Sequence, residues 1–324
     1  MLYLHGAGHF HPDNVIDNAF FESLDINTSD EWIVDRVGIR TRRTVLPLDY
    51  IRSTFNADPS AADEAAEYTN AQTGARAAQH ALARAGRDPS DVGLVIAGSC
   101  TPATTCPAEA CTIAGELGIE AAAYDVNSAC SSLAAQLHLL MGMADSLPDF
   151  VLLVQPDNST REINYRDRDT CVLWGDGSSA MVLSARHASA VRVATTSFTS
   201  SPSGHAKVQF LRHGHFRQEG RTVQTFAIKR TANLVRELSP EGRATHFVGH
   251  QANLSMLTSS CRRAGIDQTH HWYNVDRFGN CGAAGAGSVL SEHWDDLTPG
   301  LSVVMAVVGS GLSWGGARLE VALA

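Results

Sequence analysis

Short apolar runs alternate along this chain with longer stretches in which apolar residues recur at helical spacing. Apolar runs of about four to eight residues, bounded by turn residues, are typical of strands buried on both faces. The strands predicted for the first half cover 2–9, 92–97, 121–126, 150–154 and 180–183. The predicted helices cover 61–84, 107–117 and 133–146, and proline with polar residues predicts a loop over 46–60.

The second half repeats this order of elements, which indicates an internal duplication. Its predicted strands cover 245–249, 271–275 and 302–308, and its helices cover 224–238, 253–264 and a small-residue stretch to about 294. Two strand ends are also alike, Tyr124-Asp125-Val126 and Tyr273-Asn274-Val275. We therefore expect an α/β protein with parallel strands covered by helices, divided into halves at 1–186 and 187–324.

The composition is typical of a soluble globular protein that buries a large core. Of the 324 residues, 44% are hydrophobic and 18% are charged, and no apolar run reaches the roughly 18 residues that span a membrane. The formal net charge of −9 argues against general nucleic-acid binding. No basic signal-peptide segment opens the chain, and seven cysteines without framework spacing favour reduced thiols. We expect a cytoplasmic protein without a membrane or nucleic-acid partner.

Cys130 is the first candidate for chemistry, because it lies where a predicted strand turns into a helix. Free backbone N–H groups and the positive end of the helix dipole favour a thiolate at that position. The residues Asn127-Ser128-Ala129 before it are small enough for a tight turn. A nucleophile and a small cysteine packed at an elbow are both consistent with this stretch.

Two polar residues of the second half add to this candidate site. His250 follows the predicted strand 245–249, at the strand end where α/β sheets bind ligands. Asn280 lies at the second elbow, which the duplication makes equivalent to the elbow of Cys130. A thiolate that attacks a thioester, with His and Asn donating to an oxyanion or enolate, forms a plausible acyl-transfer site. A structural histidine and a turn asparagine are the alternative interpretations.

These features occur together with several further motifs, and the chain resembles β-ketoacyl-acyl-carrier-protein synthase III and its relatives in the thiolase superfamily. The resemblance covers nearly the whole length, and the joint order and spacing of its motifs make it specific. The motifs are Ser29-Asp30-Glu31-Trp32-Ile33-Val34 with Arg36, Gly38, Ile39 and Arg40; Ala129-Cys130; Gly175-Asp176-Gly177; His250-Gln251-Ala252-Asn253; Gly279-Asn280; and Gly309-Ser310-Gly311 with Trp314-Gly315.

The resemblance implies a five-layer αβαβα fold and a catalytic triad of Cys130, His250 and Asn280. It also implies an oxyanion hole formed by the backbone N–H groups of Cys130 and Ser310. The implied substrates are acyl thioesters of coenzyme A or acyl carrier protein. A homodimer without a resident cofactor or metal is the implied working form.

The resemblance further implies contacts for the thioester carrier. Thr28, Trp32, Arg36 and Arg161 match positions that hold the nucleotide end of coenzyme A, and Asn253 belongs to the matched histidine motif. Arg262 and Arg263 match a helix that faces an acidic carrier protein, although ordinary surface charge also explains them.

Four positions depart from the best-known members of the family. Ile228 stands where these have glycine in the wall of the pantetheine tunnel, Ala232 where they have phenylalanine, and Ser255 where arginine is usual. Cys106 replaces a phenylalanine that closes the acyl pocket of the partner subunit in members primed by short acyl groups. The smaller side chain predicts a deeper pocket and a medium, long or bulky acyl group, as in secondary-metabolite pathways.

The predicted reaction is therefore a decarboxylative or interlinking Claisen condensation through acyl-Cys130. An acyltransferase that forms an ester or amide on the same scaffold is the alternative, and a silent partner subunit is a third possibility. Metal binding has little support, because neither His5, His9 and His11 nor His213 and His215 form a zinc-site pattern.

Overall fold

The computed structural model of the protein describes residues 1–212, 214–239 and 245–323. Its strands are β1 (Leu2–Phe10), β2 (Asn14–Asp17), β3 (Thr41–Thr44), β4 (Val92–Ala97), β5 (Ala122–Asp125), β6 (Phe150–Asp157), β7 (Gly177–Ser184), β8 (Val191–Ser200), β9 (Val208–Gln209), β10 (Arg217–Gln218), β11 (His246–Gly249), β12 (His271–Trp272), β13 (Ser302–Gly309) and β14 (Ser313–Val321). Its α-helices are α1 (Asn18–Ser23), α2 (Asp30–Val37), α3 (Leu48–Thr54), α4 (Pro59–Ala65), α5 (Asn70–Ala85), α6 (Glu109–Leu117), α7 (Ser132–Gly142), α8 (Arg168–Cys171), α9 (Gly220–Leu238), α10 (Leu254–Ala264), α11 (Val275–Phe278) and α12 (Ala284–Glu292).

One ten-stranded sheet connects the two halves of the chain, in the order β12-β11-β13-β14-β8-β1-β7-β6-β4-β5. From either edge of the sheet inward, both halves place their strands in the same order, namely the third, second, fourth, fifth and first strand that each half contributes to this sheet, and the halves meet where β1 pairs with β8. The predicted duplication of elements is therefore confirmed. The exact division at residues 186 and 187 stays a prediction.

The sheet is mixed rather than wholly parallel, which corrects the sequence-based expectation. β4 runs parallel to β5 and β6, and β11 runs parallel to β12 and β13. The pairs β6–β7, β1–β7, β13–β14 and β8–β14 are antiparallel. Every residue of β6 and β7 is buried, so their continuous apolar pattern reports burial on both faces and carries no information about strand direction.

The helices complete five layers, as the family resemblance implied. α7 and α12, which follow the two elbows, lie between the half-sheets: α7 contacts β6, β8 and β14, and α12 contacts β1, β7 and β11. Their apolar side chains share one core with strands of both halves. α5 and α6 cover the outer face of the first half, and α9 and α10 cover that of the second. This arrangement places both elbows at the junction of the halves.

Three local predictions are wrong. The predicted loop 46–60 contains α3, whose Ile51 is fully buried. The predicted helix 61–84 is two helices. α4 ends at Ala65, and the side chain of Thr69 caps a new helix, α5. The predicted strand 271–275 pairs only at β12, since Val275 already begins α11. In addition, no helix among the described residues is long and apolar enough to cross a membrane.

The start of α5 provides a test of this capping. The Gln72 backbone N–H donates to Thr69 Oγ1 at 3.2 Å, and the Thr69 N–H donates to Gln72 Oε1 at 3.0 Å. We expect Thr69→Ala to lower the free energy of unfolding by about 1 kcal/mol in urea titrations, because buried α5 loses its cap. Thr69→Ser keeps the hydroxyl and should retain most of the stability. Equal losses in the two variants would contradict this role.

Candidate active site

The first elbow holds Cys130 between β5 and α7. The backbone of Ala129 has a φ of 49°, a left-handed conformation that is unfavourable for a residue with a Cβ. Asn127 supports it, because its Oδ1 accepts the Ala129 N–H at 2.8 Å and the Ser132 hydroxyl at 3.3 Å. Cys130 itself is 7% exposed and lies in a single helical turn that runs into α7. The predicted position at a strand-to-helix turn is therefore what the structure has.

The end of β13 passes directly against this elbow. A Cβ added to Gly309 would lie 2.8 Å from the Ser131 backbone nitrogen, so only glycine permits this approach. The next residue, Ser310, lines the same cavities as Cys130. Its hydroxyl donates to the Val208 carbonyl at 2.5 Å. The hydroxyl of Ser310 is thus already engaged by a backbone partner.

His250 and Asn280 come from the second half and line the cavity that Cys130 also lines. The His250 backbone N–H donates to the Ala306 carbonyl at 3.1 Å, which fixes it to β13, and its Nδ1 is buried without a partner in the described residues. The Asn280 Oδ1 accepts the Gly282 N–H at 3.1 Å. The Asn280 amide nitrogen is then the end of that side chain that is left to donate to a bound molecule.

The buried carboxylate of Asp157, at the end of β6, connects the loop after β4 to the second elbow. Its Oδ1 accepts the Ser99 hydroxyl and the Cys100 N–H, each at 2.7 Å, and its Oδ2 accepts the Ala283 N–H. Burial raises the pKa of Asp157 to about 7, although these hydrogen bonds favour its charged form. A side chain at position Gly282 would collide with Asp157 and Cys100, which occupy the space beside its backbone.

Cys100 lies next to Cys130, with 3.3 Å between the two Sγ atoms. The hydrogen bond from Cys100 lowers the pKa of Cys130 well below the usual range of a thiol, and the charge and hydrogen bond of His250 act in the same direction. The same Cys100–Cys130 hydrogen bond, together with burial and the Asp157 charge, raises the pKa of Cys100. Cys130 is therefore the thiolate of the pair.

Two cavities meet at Cys130. The larger, about 410 Å³, extends from Cys130, His250 and Asn280 to the exposed side chains of Arg36 and Asp169, which mark its mouth. The smaller has a volume of about 280 Å³ and also reaches Cys130. It is lined by Cys100, Ala129, Cys130, Trp174, His205, Val208, Gln209, Phe210 and Ser310. Cys130, Trp174, Val208 and Ser310 line both cavities.

Arg161 was predicted to contact the carrier, but it does not line the larger cavity. Arg161 is 5% exposed, and its guanidinium pairs with Asp63 at 2.8 Å and donates to Asn70 Oδ1 at 3.1 Å, so it holds the fold together. Arg168 lies near the mouth instead, with its Cζ 4.0 Å from the centroid of the Trp32 ring. Sequence reasoning missed Arg168. The available signal was its spacing in the sequence, seven residues before Gly175.

The other residues predicted to contact the carrier differ in their relation to the larger cavity. Arg36 lines the mouth, and its Cζ lies 5.0 Å from the Trp32 centroid. Thr28 has a buried Oγ1 without a partner in the described part of the chain. Asn253 lines the cavity, but its side chain accepts the Met256 N–H and caps α10.

The positions that depart from the family pattern lie mainly outside the cavities. Ala227, rather than Ile228, is among the lining residues, and Ile228 packs beside Ala227 and Met256. Ala232 is fully buried, and the Ser255 hydroxyl donates to the Arg36 carbonyl at 3.2 Å. Cys106 is exposed and lines neither cavity. Arg262 and Arg263 are exposed near the end of α10.

The histidines that suggested a metal have other contacts. His5 Nε2 lies 3.0 Å from the His187 carbonyl oxygen, His9 Nδ1 lies 2.8 Å from the Ser291 hydroxyl, and His11 Nδ1 lies 3.0 Å from the Asp176 carbonyl oxygen. His215 Nε2 lies 2.8 Å from the Asn56 carbonyl oxygen, and His213 falls outside the described residues. Among the residues with a described position, no group of three or more His, Cys, Asp or Glu is arranged to hold a metal.

Comparison with known proteins places this site in a family. The family model described as 3-oxoacyl-[acyl-carrier-protein (ACP)] synthase III matches residues 124–202, and the model of its C-terminal part matches 241–321. The β-ketoacyl-[acyl-carrier-protein] synthase III of Brucella anthropi is 32% identical over 97% of this chain and 98% of that protein. That of Oleidesulfovibrio alaskensis is 30% identical over 98% of both.

The chain belongs to the β-ketoacyl-acyl-carrier-protein synthase III family. The crystal structure of the family member from Aquifex aeolicus superposes with a TM-score of 0.87 at 26% identity, covering 99% of this chain and 100% of that one. The family resemblance and the thiolase-like fold predicted from the sequence are thus confirmed. A β-ketoacyl-acyl-carrier-protein synthase III is an acyltransferase that forms carbon–carbon bonds, which confirms the predicted enzyme class.

The hydrogen bonds of Asp157 lead to a stability prediction. We expect Asp157→Asn to lower the free energy of unfolding by about 1–3 kcal/mol, because an amide nitrogen would face one of the buried N–H or O–H donors. Exposed Asp145 provides the control, and Asp145→Asn should leave the stability within error. Urea unfolding near neutral pH measures both variants, and equal stabilities would contradict the role of Asp157.

The pH dependence of the same variants gives a second prediction. The pKa of Asp157 in the folded protein, about 7, lies above its ordinary value of 3.8. The folded state therefore binds more protons than the unfolded state between these values, and the wild type loses stability as pH rises from about 4 to about 7. Asp157→Asn removes this contribution. The difference in unfolding free energy between the wild type and the variant should therefore narrow as pH rises over that interval. A constant difference in unfolding free energy would contradict the raised pKa.

Proposed function

We propose that this enzyme catalyses a decarboxylative Claisen condensation of acyl thioesters through an acyl group carried on Cys130. The observation that carries the proposal is the convergence of Cys130, His250 and Asn280 on one cavity in a member of the synthase III family. Each residue supplies a different function: a buried thiolate, an imidazole and an amide donor. An ester- or amide-forming acyltransferase would need an activated alcohol or amine, and no described feature of the cavity favours that acceptor.

In the first half-reaction, the Cys130 thiolate attacks the carbonyl carbon of an acyl thioester. The backbone N–H groups of Cys130 and Ser310 stabilise the oxyanion, and the carrier thiolate leaves and takes up a proton. In the second, a malonyl-type thioester loses carbon dioxide, and donors on His250 and Asn280 stabilise the resulting enolate. The enolate carbon attacks acyl-Cys130, a carbon–carbon bond forms, and the Cys130 thiolate is released.

The carrier of the acyl group binds at the mouth of the larger cavity in this proposal. Trp32 with the guanidinium groups of Arg36 and Arg168 forms a flat, cationic surface there. Such a surface suits an adenine ring and phosphates, which coenzyme A provides. An acyl carrier protein brings a phosphate on the same pantetheine arm, and exposed Arg262 and Arg263 suit its acidic surface.

The smaller cavity supports an acyl group larger than acetyl. Its volume of about 280 Å³ exceeds the roughly 150 Å³ that holds benzene in an engineered cavity. Cys106 does not reach the cavity of its own chain, so it is free to face the pocket of a partner subunit, as the family resemblance implies. A medium, long or ring-containing acyl group fits this space, as in secondary metabolism.

A homodimer is the proposed working form. β5 is an edge strand of the sheet, and large apolar side chains are exposed on β5 (Tyr124), on α7 (Leu139) and just after α7 (Met143). An exposed sheet edge with apolar neighbours is suited to pairing with a second copy. We place the reaction in the cytoplasm, where free thiols such as Cys130 stay reduced.

Acyl loading tests both the nucleophile and the size of the acyl group. After incubation with acetyl, medium-chain, long-chain and aryl thioesters, intact-protein mass spectrometry should show one acyl group, with acetyl loading slowest because it leaves the smaller cavity empty. Cys130→Ala should remove the adduct completely, whereas Cys111→Ala should not. A preference for acetyl would overturn the bulky-acyl proposal, and an adduct on Cys130→Ala would overturn the nucleophile.

A matched pair of arginine variants tests the carrier site. We expect Arg168→Ala to raise the KM for a coenzyme A thioester roughly 3- to 30-fold with little change in kcat, since stacking is lost equally from the ground and transition states. Arg161→Ala should leave this KM unchanged but lower the melting temperature, because it breaks the pair with Asp63. A raised KM in Arg161→Ala together with an unchanged KM in Arg168→Ala would show instead that Arg161 contacts the carrier.

A further inference from the structure

A second cysteine lies against the sulfur that carries the acyl group in the proposed function. Cys100 Sγ is 3.3 Å from Cys130 Sγ, both thiols are free, and both line the smaller cavity. We propose that Cys100 is a positioning residue for acyl transfer, whose thiol donates a hydrogen bond to the Cys130 sulfur and holds it as an oriented thiolate. This inference rests on Cys130 being the nucleophile of the proposed function.

The surroundings of the two sulfurs determine which one keeps the proton. Cys130 lines the larger cavity with His250 and lies in the turn before α7, where the His250 side chain and the backbone N–H of Cys130 stabilise an anion. Cys100 lies beside the Asp157 carboxylate, which accepts its backbone N–H at 2.7 Å. The negative charge of Asp157 beside Cys100 opposes ionisation of this thiol, so its S–H remains the donor.

The loop that carries the Cys100 donor is held in place. The loop after β4 is fixed to Asp157 by Ser99, Cys100 and Thr101, whose N–H donates to Oδ1 at 3.3 Å. On the other side, a Cβ on Gly282 would lie 2.9 Å from Cys100 Sγ, so the second elbow closes the space around the thiol. Cys100 therefore couples the Asp157 network to the nucleophile.

The hydrogen bond would act twice in each catalytic cycle. Before acylation it raises the fraction of Cys130 present as thiolate. When the enolate attacks acyl-Cys130, the carbon–sulfur bond breaks and its electron pair returns to Cys130, which the Cys100 S–H then stabilises. The proton of Cys100 stays on Cys100 throughout, Cys130 returns as the thiolate, and the leaving carrier thiolate takes up one proton from water in each cycle, so no oxidant is needed.

The test compares Cys100→Ala, which removes the donor, with Cys100→Ser, which keeps an O–H donor of similar size. The rate at which iodoacetamide alkylates Cys130 is measured against pH in a phosphine reductant, and peptide mass spectrometry separates Cys130 from exposed Cys106 and Cys111. We expect the midpoint for Cys100→Ala to rise by about one pH unit, the effect of losing one hydrogen bond to a charged group. Cys100→Ser should retain most of the wild-type midpoint.

Acylation rates provide a second measurement on the same variants. Below both midpoints, Cys100→Ala should load its acyl group about tenfold more slowly than the wild type, and the difference should shrink as pH rises. An unchanged midpoint in Cys100→Ala, or an equal shift in Cys100→Ser, would overturn the role of Cys100. Alkylation does not require acyl transfer, so a wild type that fails to load acyl groups on Cys130 would refute the proposed function separately.

Discussion

The site depends on one buried carboxylate that accepts hydrogen bonds from both halves of the chain. Asp157 receives donors from the loop after β4 and from Ala283 at the second elbow. A buried carboxylate is costly unless such donors surround it, so the carboxylate and the two loops hold each other in position. The distance between Cys130 and the residues that converge on it follows from this arrangement, together with the close approach of Gly309 to Ser131.

The two neighbouring thiols ionise differently: the pKa of Cys130 is lowered, and that of Cys100 is raised. Burial alone would raise the pKa of both, yet the elbow and His250 favour the anion on Cys130, while Asp157 disfavours it on Cys100. The two cavities then meet at the ionised sulfur. A two-step reaction has the geometry that it needs, because one acyl group can remain on Cys130 while the second substrate approaches.

Much of the fold and the central site could be predicted from local signals. Cys130 and Asn280 follow strands at duplicated elbows, and His250 follows a third strand, so the sheet brings them together. Strand direction was not predictable for β7, because burial on both faces gives the same apolar pattern in either direction. Arg161 and Arg168 differ only in tertiary partners, Asp63 for one and Trp32 for the other. Cys100 lies three residues after the end of the predicted strand 92–97, a signal that was present but unused.

The most direct test of the account is a single-turnover chase of isolated acyl-Cys130 with a malonyl thioester. The account predicts that the acyl group leaves Cys130 at the same rate at which carbon dioxide and a β-ketoacyl thioester form, each in a one-to-one amount. Formation of the β-ketoacyl product while the acyl group remains on Cys130, or loss of the acyl group without carbon dioxide, would contradict it.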